Sequence, residues 1–82
     1  MLTLRYFARL REALGPQESL PFAEGLTAGA VRDLLIARGG AHAEALARTQ
    51  LLRCARNQQM CAEDVALQDG DELAFFPPVT GG

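Results

Sequence analysis

Gly70-Asp71-Glu72-Leu73-Ala74-Phe75-Phe76-Pro77-Pro78-Val79-Thr80-Gly81-Gly82 is the stretch around which the rest of this chain is read. Gly70 supplies the positive φ of a turn that begins at Gln68. Glu72 to Phe76 then runs as a strand, and Phe76 stays extended because a proline follows it. Pro77-Pro78 ends the strand and is itself stiff and extended. Gly81-Gly82 has no side chains, so it can enter a narrow channel and leave a terminal carboxylate unhindered. Stretched out, Pro77 to Gly82 reaches about 20 Å. Together these parts describe a domain over 1–78 and a flexible arm over 79–82 that delivers a carboxylate into another protein's active site. Two glycines alone are a weak motif and fit a frayed tail equally well. The strand and the double proline ahead of them favour the arm.

Phe75 and Phe76 alternate across this last strand, so one ring faces the core and the other faces out. We assign Phe76 outward, with Met60 nearby, as a partner-binding patch that continues into Pro77, Pro78, Val79 and Thr80. The competing reading buries both rings, since the chain has four phenylalanines and no tryptophan to fill a core. Asp69 and Asp71 read as turn-formers rather than as a carboxylate pair for acid–base work, because nothing around them suggests a cleft.

Outward from the C-terminal strand, the pattern is mixed. Leu2 to Tyr6 alternates apolar and polar, the period of a half-buried strand. Phe7 to Leu14 loses that period and reads as a short helical turn stopped by Gly15-Pro16. Glu18 to Ala23 alternates again, with Leu20 and Phe22 on one face and Pro21 marking an edge strand. Thr27 is placed to cap a helix whose apolar face is Val31, Leu34 and Leu35, with Arg32, Asp33 and Arg38 elsewhere. Gly39-Gly40 ends it. Ala41 to Arg48 reads as a second short helix anchored by Leu46. Leu51 to Arg56 reads as a strand, returning through Met60 to Ala62. This order gives an α+β fold in which one main helix covers one face of a small mixed sheet.

Composition narrows the function. Eighty-two residues allow one domain and no separate catalytic unit. A hydrophobic share of 49% with 22% charged residues is globular rather than disordered. A net charge of −2 argues against nucleic acid, which needs a basic face. All eight basic residues are arginine, so no side-chain amine is available for Schiff-base chemistry. No secretion signal or membrane-spanning run is visible, which predicts a soluble cytoplasmic protein with reduced thiols. Cys54 and Cys61 are too few for a disulfide framework. With a turn at Gln58-Gln59, Arg56 faces Cys61 and Cys54 lies diagonally, about 7–8 Å away and outside easy disulfide range. Both then read as small buried hydrophobes. His42 lies on a different element and reads as a surface residue, so neither a metal site nor a Cys-His nucleophile is expected.

The closing run quoted above closely resembles the end of the small, sulfur-carrier subunit of molybdopterin synthase. Leu4-Arg5-Tyr6-Phe7-Ala8-Arg9-Leu10-Arg11-Glu12, followed by Gly15, resembles that family's opening, and Ala55-Arg56-Asn57 sits where the family ends its third strand. The resemblance covers the whole chain, with its specific motifs at the two ends. Arg56 and Cys61 depart from it, at strand positions that are usually aliphatic in the family. The resemblance implies a β-grasp, ubiquitin-like fold with no bound cofactor. It implies that an ATP-dependent, ubiquitin-activating-like adenylyltransferase activates the Gly82 carboxylate, with Gly81 beside it. A sulfur donor then makes a thiocarboxylate. Sulfur passes to cyclic pyranopterin monophosphate inside the large synthase subunit, in a heterotetramer of two small and two large subunits. The chain is then no enzyme alone but the sulfur-donating subunit of a transferase.

Three other readings compete. A sulfur carrier for thiamine thiazole formation also ends in two glycines, although the Phe-Phe-Pro-Pro run speaks against it. A ubiquitin-like modifier would join its Gly82 to target lysines. A plain binding module would use the tail as a peptide ligand and tolerate an amide cap.

Overall fold

The computed structural model describes residues 1–78; Val79, Thr80, Gly81 and Gly82 lie outside the described residues. The elements run β1 (Leu2–Tyr6), α1 (Arg9–Leu14), β2 (Gln17–Leu20), α2 (Ala28–Ala37), α3 (Gly40–Ala45), β3 (Arg53–Arg56), β4 (Gln59–Cys61) and β5 (Glu72–Phe76). The five strands form one mixed sheet in the order β2-β1-β5-β3-β4. First and last strands meet at its centre, in parallel, with Leu4 opposite Leu73 and Tyr6 opposite Phe75. Every other pairing is antiparallel. This is the α+β, β-grasp arrangement that the sequence implied.

Alternation decides what each strand buries. Leu2, Leu4 and Tyr6 of β1 and Leu73 and Phe75 of β5 point to one face and are fully enclosed. Val31 and Leu35 of α2, with Leu10, Leu46 and Leu67, close over them. Burying each such side chain contributes roughly 1.5–3 kcal/mol. Thr27 caps α2 as expected, its Oγ1 accepting from the Ala30 amide at 3.1 Å. Gly39, at φ +75°, lets the chain turn from α2 into α3. Gly29 serves a different end. Its amide donates to the Glu63 carbonyl at 2.7 Å. A Cβ there would sit 3.1–3.2 Å from Glu63 atoms.

Three expectations are corrected. Strand β2 starts at Gln17 and stops at Leu20, before Pro21, because proline cannot donate to the ladder. The inward stripe of α2 is Ala28, Val31, Arg32 and Leu35, whereas Leu34 is 50% exposed. Both stripes obey helical spacing, and the choice between them falls to a buried guanidinium. Arg32, 3% exposed, donates to the carbonyls of Leu46, Ala47 and Gln50 and to Glu63 at 2.7–2.9 Å. It therefore satisfies carbonyls that the end of α3 leaves open. Arg48 adds to this knot through Glu63 and Asp33. Thirdly, the β3–β4 turn is Asn57-Gln58, both at positive φ, so Arg56 faces Gln59 and Cys54 faces Cys61 directly. The type I′ shape of a two-residue hairpin requires those φ values, and asparagine tolerates them. Asn57 also clamps β5: its Oδ1 accepts from the Glu72 amide and its Nδ2 donates to Asp71.

A second polar knot ties the opposite end. Glu18 of β2 accepts from the Tyr6 hydroxyl at 2.7 Å and from Arg38, and pairs with His42 Nε2 at 2.8 Å. His42 is thus a joint between α3 and the sheet rather than a plain surface residue. Burial pulls the Glu18 pKa up, but the bonds from His42, Arg38 and Tyr6 outweigh it and hold the group down at about 2.

Two outcomes follow from these knots. Arg32→Ala takes the guanidinium from the Leu46 and Gln50 carbonyls and from one Glu63 oxygen, while Ala47 keeps the Gln50 amide and Glu63 keeps Arg48, and is expected to cost about 3 kcal/mol in urea unfolding. Arg32→Lys, with a single ammonium for four acceptors, should recover only part of that. Because the folded pKa of Glu18 lies below its ordinary 4.5, its contribution is complete above that pH and fades as pH falls toward about 2. Glu18→Gln should lower the midpoint near neutrality, where the contribution is complete, and flatten the midpoint-against-pH curve over that window, so that variant and parent converge as pH falls toward about 2.

Candidate functional site at the root of the C-terminal arm

The face of the sheet away from the helices carries the second set of alternating residues. Register fixes them in two rows. Arg5, Ala74, Ala55 and Met60 are successive cross-strand partners over β1, β5, β3 and β4. One step further along, Phe76 faces Arg53. The Phe7 ring meets the Phe76 ring edge to face, with centroids 6.5 Å apart and planes at 82°. Ala55 and Ala74 form a floor shielded to 8% and 5% exposure, between larger flanking side chains. Phe76 and Phe7 stand at one end of that floor, and Met60, 58% exposed, at the other. The Arg5 guanidinium lies 5.4 Å from the Phe7 centroid and 3.6 Å from Glu72. A half-desolvated cation over a ring face favours that stacked geometry.

The sequence expected Phe75 inward and Phe76 outward, and the structure has them so: Phe75 is enclosed and Phe76 is half-buried on the outer face. Met60 lies on that same face, with β3 between it and β5. Pro77 and Pro78 leave the sheet from Phe76 and are half-buried. Val79, Thr80, Gly81 and Gly82 are outside the described residues. Sequence reasoning missed Arg5 and Phe7. Arg5 was legible as the polar position of β1. Phe7 was not, because only the parallel pairing of β1 with β5 brings it to Phe76.

The turn after Phe7 is strained. Ala8 sits at φ +53°, ψ −134°, a conformation that glycine takes freely, while the Leu10 amide closes the turn onto the Phe7 carbonyl at 3.1 Å. That turn sets Phe7 at the edge of the patch. Asp69, Gly70 and Asp71 do turn work, as expected. Asp71 accepts from the Gln68 amide at 2.8 Å, and its bonds from Asn57 and Gln68 lower its pKa. Among the described residues no group of three or more His, Cys, Asp and Glu side chains could hold a metal ion. The site is therefore an apolar and cationic face beside Pro77 and Pro78, built on Phe7, Phe76, Met60 and Arg5.

A mixed sheet that grips one main helix and sends its central strand out to a diglycine end defines a small ubiquitin-like protein of the β-grasp class. Residues 4–82 match the ThiS family, and the chain belongs to that family. It is 43% identical over 82 residues to the molybdopterin synthase sulfur carrier subunit of Haemophilus influenzae, with 100% of both chains covered. It is 42% identical to the subunit of that name from Escherichia coli, again with 100% of both covered. Among solved structures it is similar to Haloferax volcanii small archaeal modifier protein 1. That likeness has a TM-score of 0.76 at 30% identity, with 95% of this chain and 97% of the other covered.

The two phenylalanines of β5 should separate cleanly. Phe75→Ala is expected to cost about 3–5 kcal/mol of stability. Phe76→Ala should cost about 1 kcal/mol, the worth of an edge-to-face contact. Chemical unfolding of both variants measures the difference, and equal losses would place Phe76 in the core.

Proposed function

We propose that Gly82 is the working residue of this chain and that it carries sulfur as a C-terminal thiocarboxylate. The chain is a sulfur carrier in molybdenum-cofactor biosynthesis. The observation that carries this reading is its full-length kinship with molybdopterin synthase sulfur carrier subunits. The chemistry asks little of the carrier. A carboxylate is a poor electrophile, so an ATP-dependent, ubiquitin-activating-like adenylyltransferase first joins AMP to Gly82 and releases pyrophosphate. A sulfur donor then displaces AMP. The product is anionic near neutral pH and its sulfur is nucleophilic, by the logic that makes thiolate the reactive form of cysteine. Gly81 leaves the approach to it open. The ATP belongs to the activating enzyme, and the carrier binds no cofactor.

The charged carrier docks on the large subunit of the synthase. Phe76, Phe7 and Met60 are the apolar anchors on the outer face, and Arg5 and Arg53 offer cations beside them. Pro77, Pro78, Val79 and Thr80 thread the arm inward, so Gly82 meets cyclic pyranopterin monophosphate. Each dithiolene consumes two carriers, and two small subunits pair with two large ones. The large subunit supplies the basic residues around the pterin, because the end of this chain is acidic.

The test is a mass on the C-terminal peptide after expression with native sulfur-mobilising machinery. Cleavage after Glu72 releases Leu73 to Gly82, which holds no methionine or cysteine whose oxidation could imitate sulfur. Exchange of one oxygen for sulfur on that peptide is the expected result. One extra residue after Gly82 should abolish both the exchange and cofactor synthesis while leaving unfolding unchanged. If the peptide stays unmodified with ATP and activating enzyme present, and conjugates of higher mass appear, the chain is a protein modifier instead. The likeness to a small archaeal modifier protein makes that the competing outcome.

A further inference from the structure

Cys54 and Cys61, two free thiols, are direct cross-strand partners on β3 and β4. The two-residue turn makes Arg56 and Gln59 a hydrogen-bonded pair, and alternation gives Cys54 and Cys61 the same kind of pairing. Their Cα atoms are then about 5.5 Å apart, within the range a disulfide spans. The Cys61 thiol already points at Cys54, with sulfur atoms 3.5 Å apart. The two differ in access. Cys54 is 2% exposed, whereas Cys61 lies on the edge strand and is half-buried. Both line an open concavity of about 290 Å³ whose wall also includes Leu52, Met60, Glu63 and Pro78. A small solution oxidant can reach Cys61 there.

We propose that Cys54 and Cys61 form a reversible oxidation site, a dithiol that closes to an intramolecular disulfide when hydrogen peroxide reaches Cys61. The Cys61 thiolate attacks one peroxide oxygen. The O–O bond breaks, an S–O bond forms, and the leaving hydroxide takes up a proton as water. The Cys54 sulfur then attacks the Cys61 sulfenic acid. An S–S bond forms, the S–O bond breaks, and the hydroxyl departs with the Cys54 proton as a second water. Two thiols are oxidised by two electrons and the peroxide is reduced to two waters. Burial raises the Cys54 pKa, which suits it to the second step rather than the first.

The test uses the full chain, reduced, desalted and exposed to hydrogen peroxide. Remaining thiols are blocked with N-ethylmaleimide before tryptic digestion without reductant. The expected product is monomeric. In it Cys54-Ala55-Arg56 is joined to the fragment that begins at Asn57, two hydrogens lighter than the sum of the two, and dithiothreitol separates them. The same reaction in concentrated urea should be several-fold slower, because the native register is what brings the thiols together. An equal rate in urea would remove the role of the fold. Cys54→Ala should instead give Cys61 sulfenic acid or its overoxidised forms. Overturning results are Cys61 sulfinic acid beside a free Cys54, disulfide-linked dimers, or both thiols still open where free glutathione has been consumed. None of these readouts depends on sulfur carriage by Gly82, so this site and that function stand or fall separately.

Discussion

The parallel pairing of β1 with β5 is the constraint on which the rest of this molecule depends. Parallel neighbours cannot be joined by a tight turn, so the chain between them must cross over the sheet. Helix α2 makes that crossing and supplies the cover that a buried central pair needs. The same pairing places Leu4 beside Leu73 and Tyr6 beside Phe75 in the core. On the other face it brings Phe7 to Phe76 and Arg5 to Ala74. The outer face and the core are thus two sides of one register, and a slip by one residue would exchange them.

Such a small domain has little apolar area to spend, and polar clasps complete it. Arg32 serves the crossover side, where short irregular chain after α3 would otherwise bury open carbonyls. Glu18 serves the other side, gathering Tyr6, Arg38 and His42 from three elements. Asn57 links the β3–β4 hairpin to the first residue of β5. Arg32 holds the chain after α3 to α2, Glu18 holds the end of α2 and α3 to the sheet, and Asn57 holds the hairpin turn to β5.

The proposed carrier role divides the work between a rigid face and a Gly81-Gly82 end without side chains. The face offers aromatic anchors, small-residue flooring and two arginines, held by strand register to fixed positions. The carrier reading needs no more of the fold than this, because the reactive group is the chain's own carboxylate.

Much of this was legible in the sequence. Strand β1, the Thr27 cap, the Leu46 anchor, the Gly70 turn and the split between Phe75 and Phe76 follow from period and local steric rules that act over a few residues. Three features did not follow. The pattern of α2 admits two apolar stripes, and only the carbonyls waiting beyond α3 select the one containing Arg32. The β3–β4 register turned on whether Asn57 or Gln58 opens the turn; asparagine favours the first place, but a glutamine at φ +69° in the second gives no such signal. The meeting of Phe7 with Phe76 joins residues at opposite ends of the chain. By itself the sequence determined the elements, their order and the diglycine end, because these rest on neighbours along the chain. Only the tertiary structure decided which side chains share a face, which arginine is buried and which thiols meet, because those depend on groups brought together by pairing across the sheet.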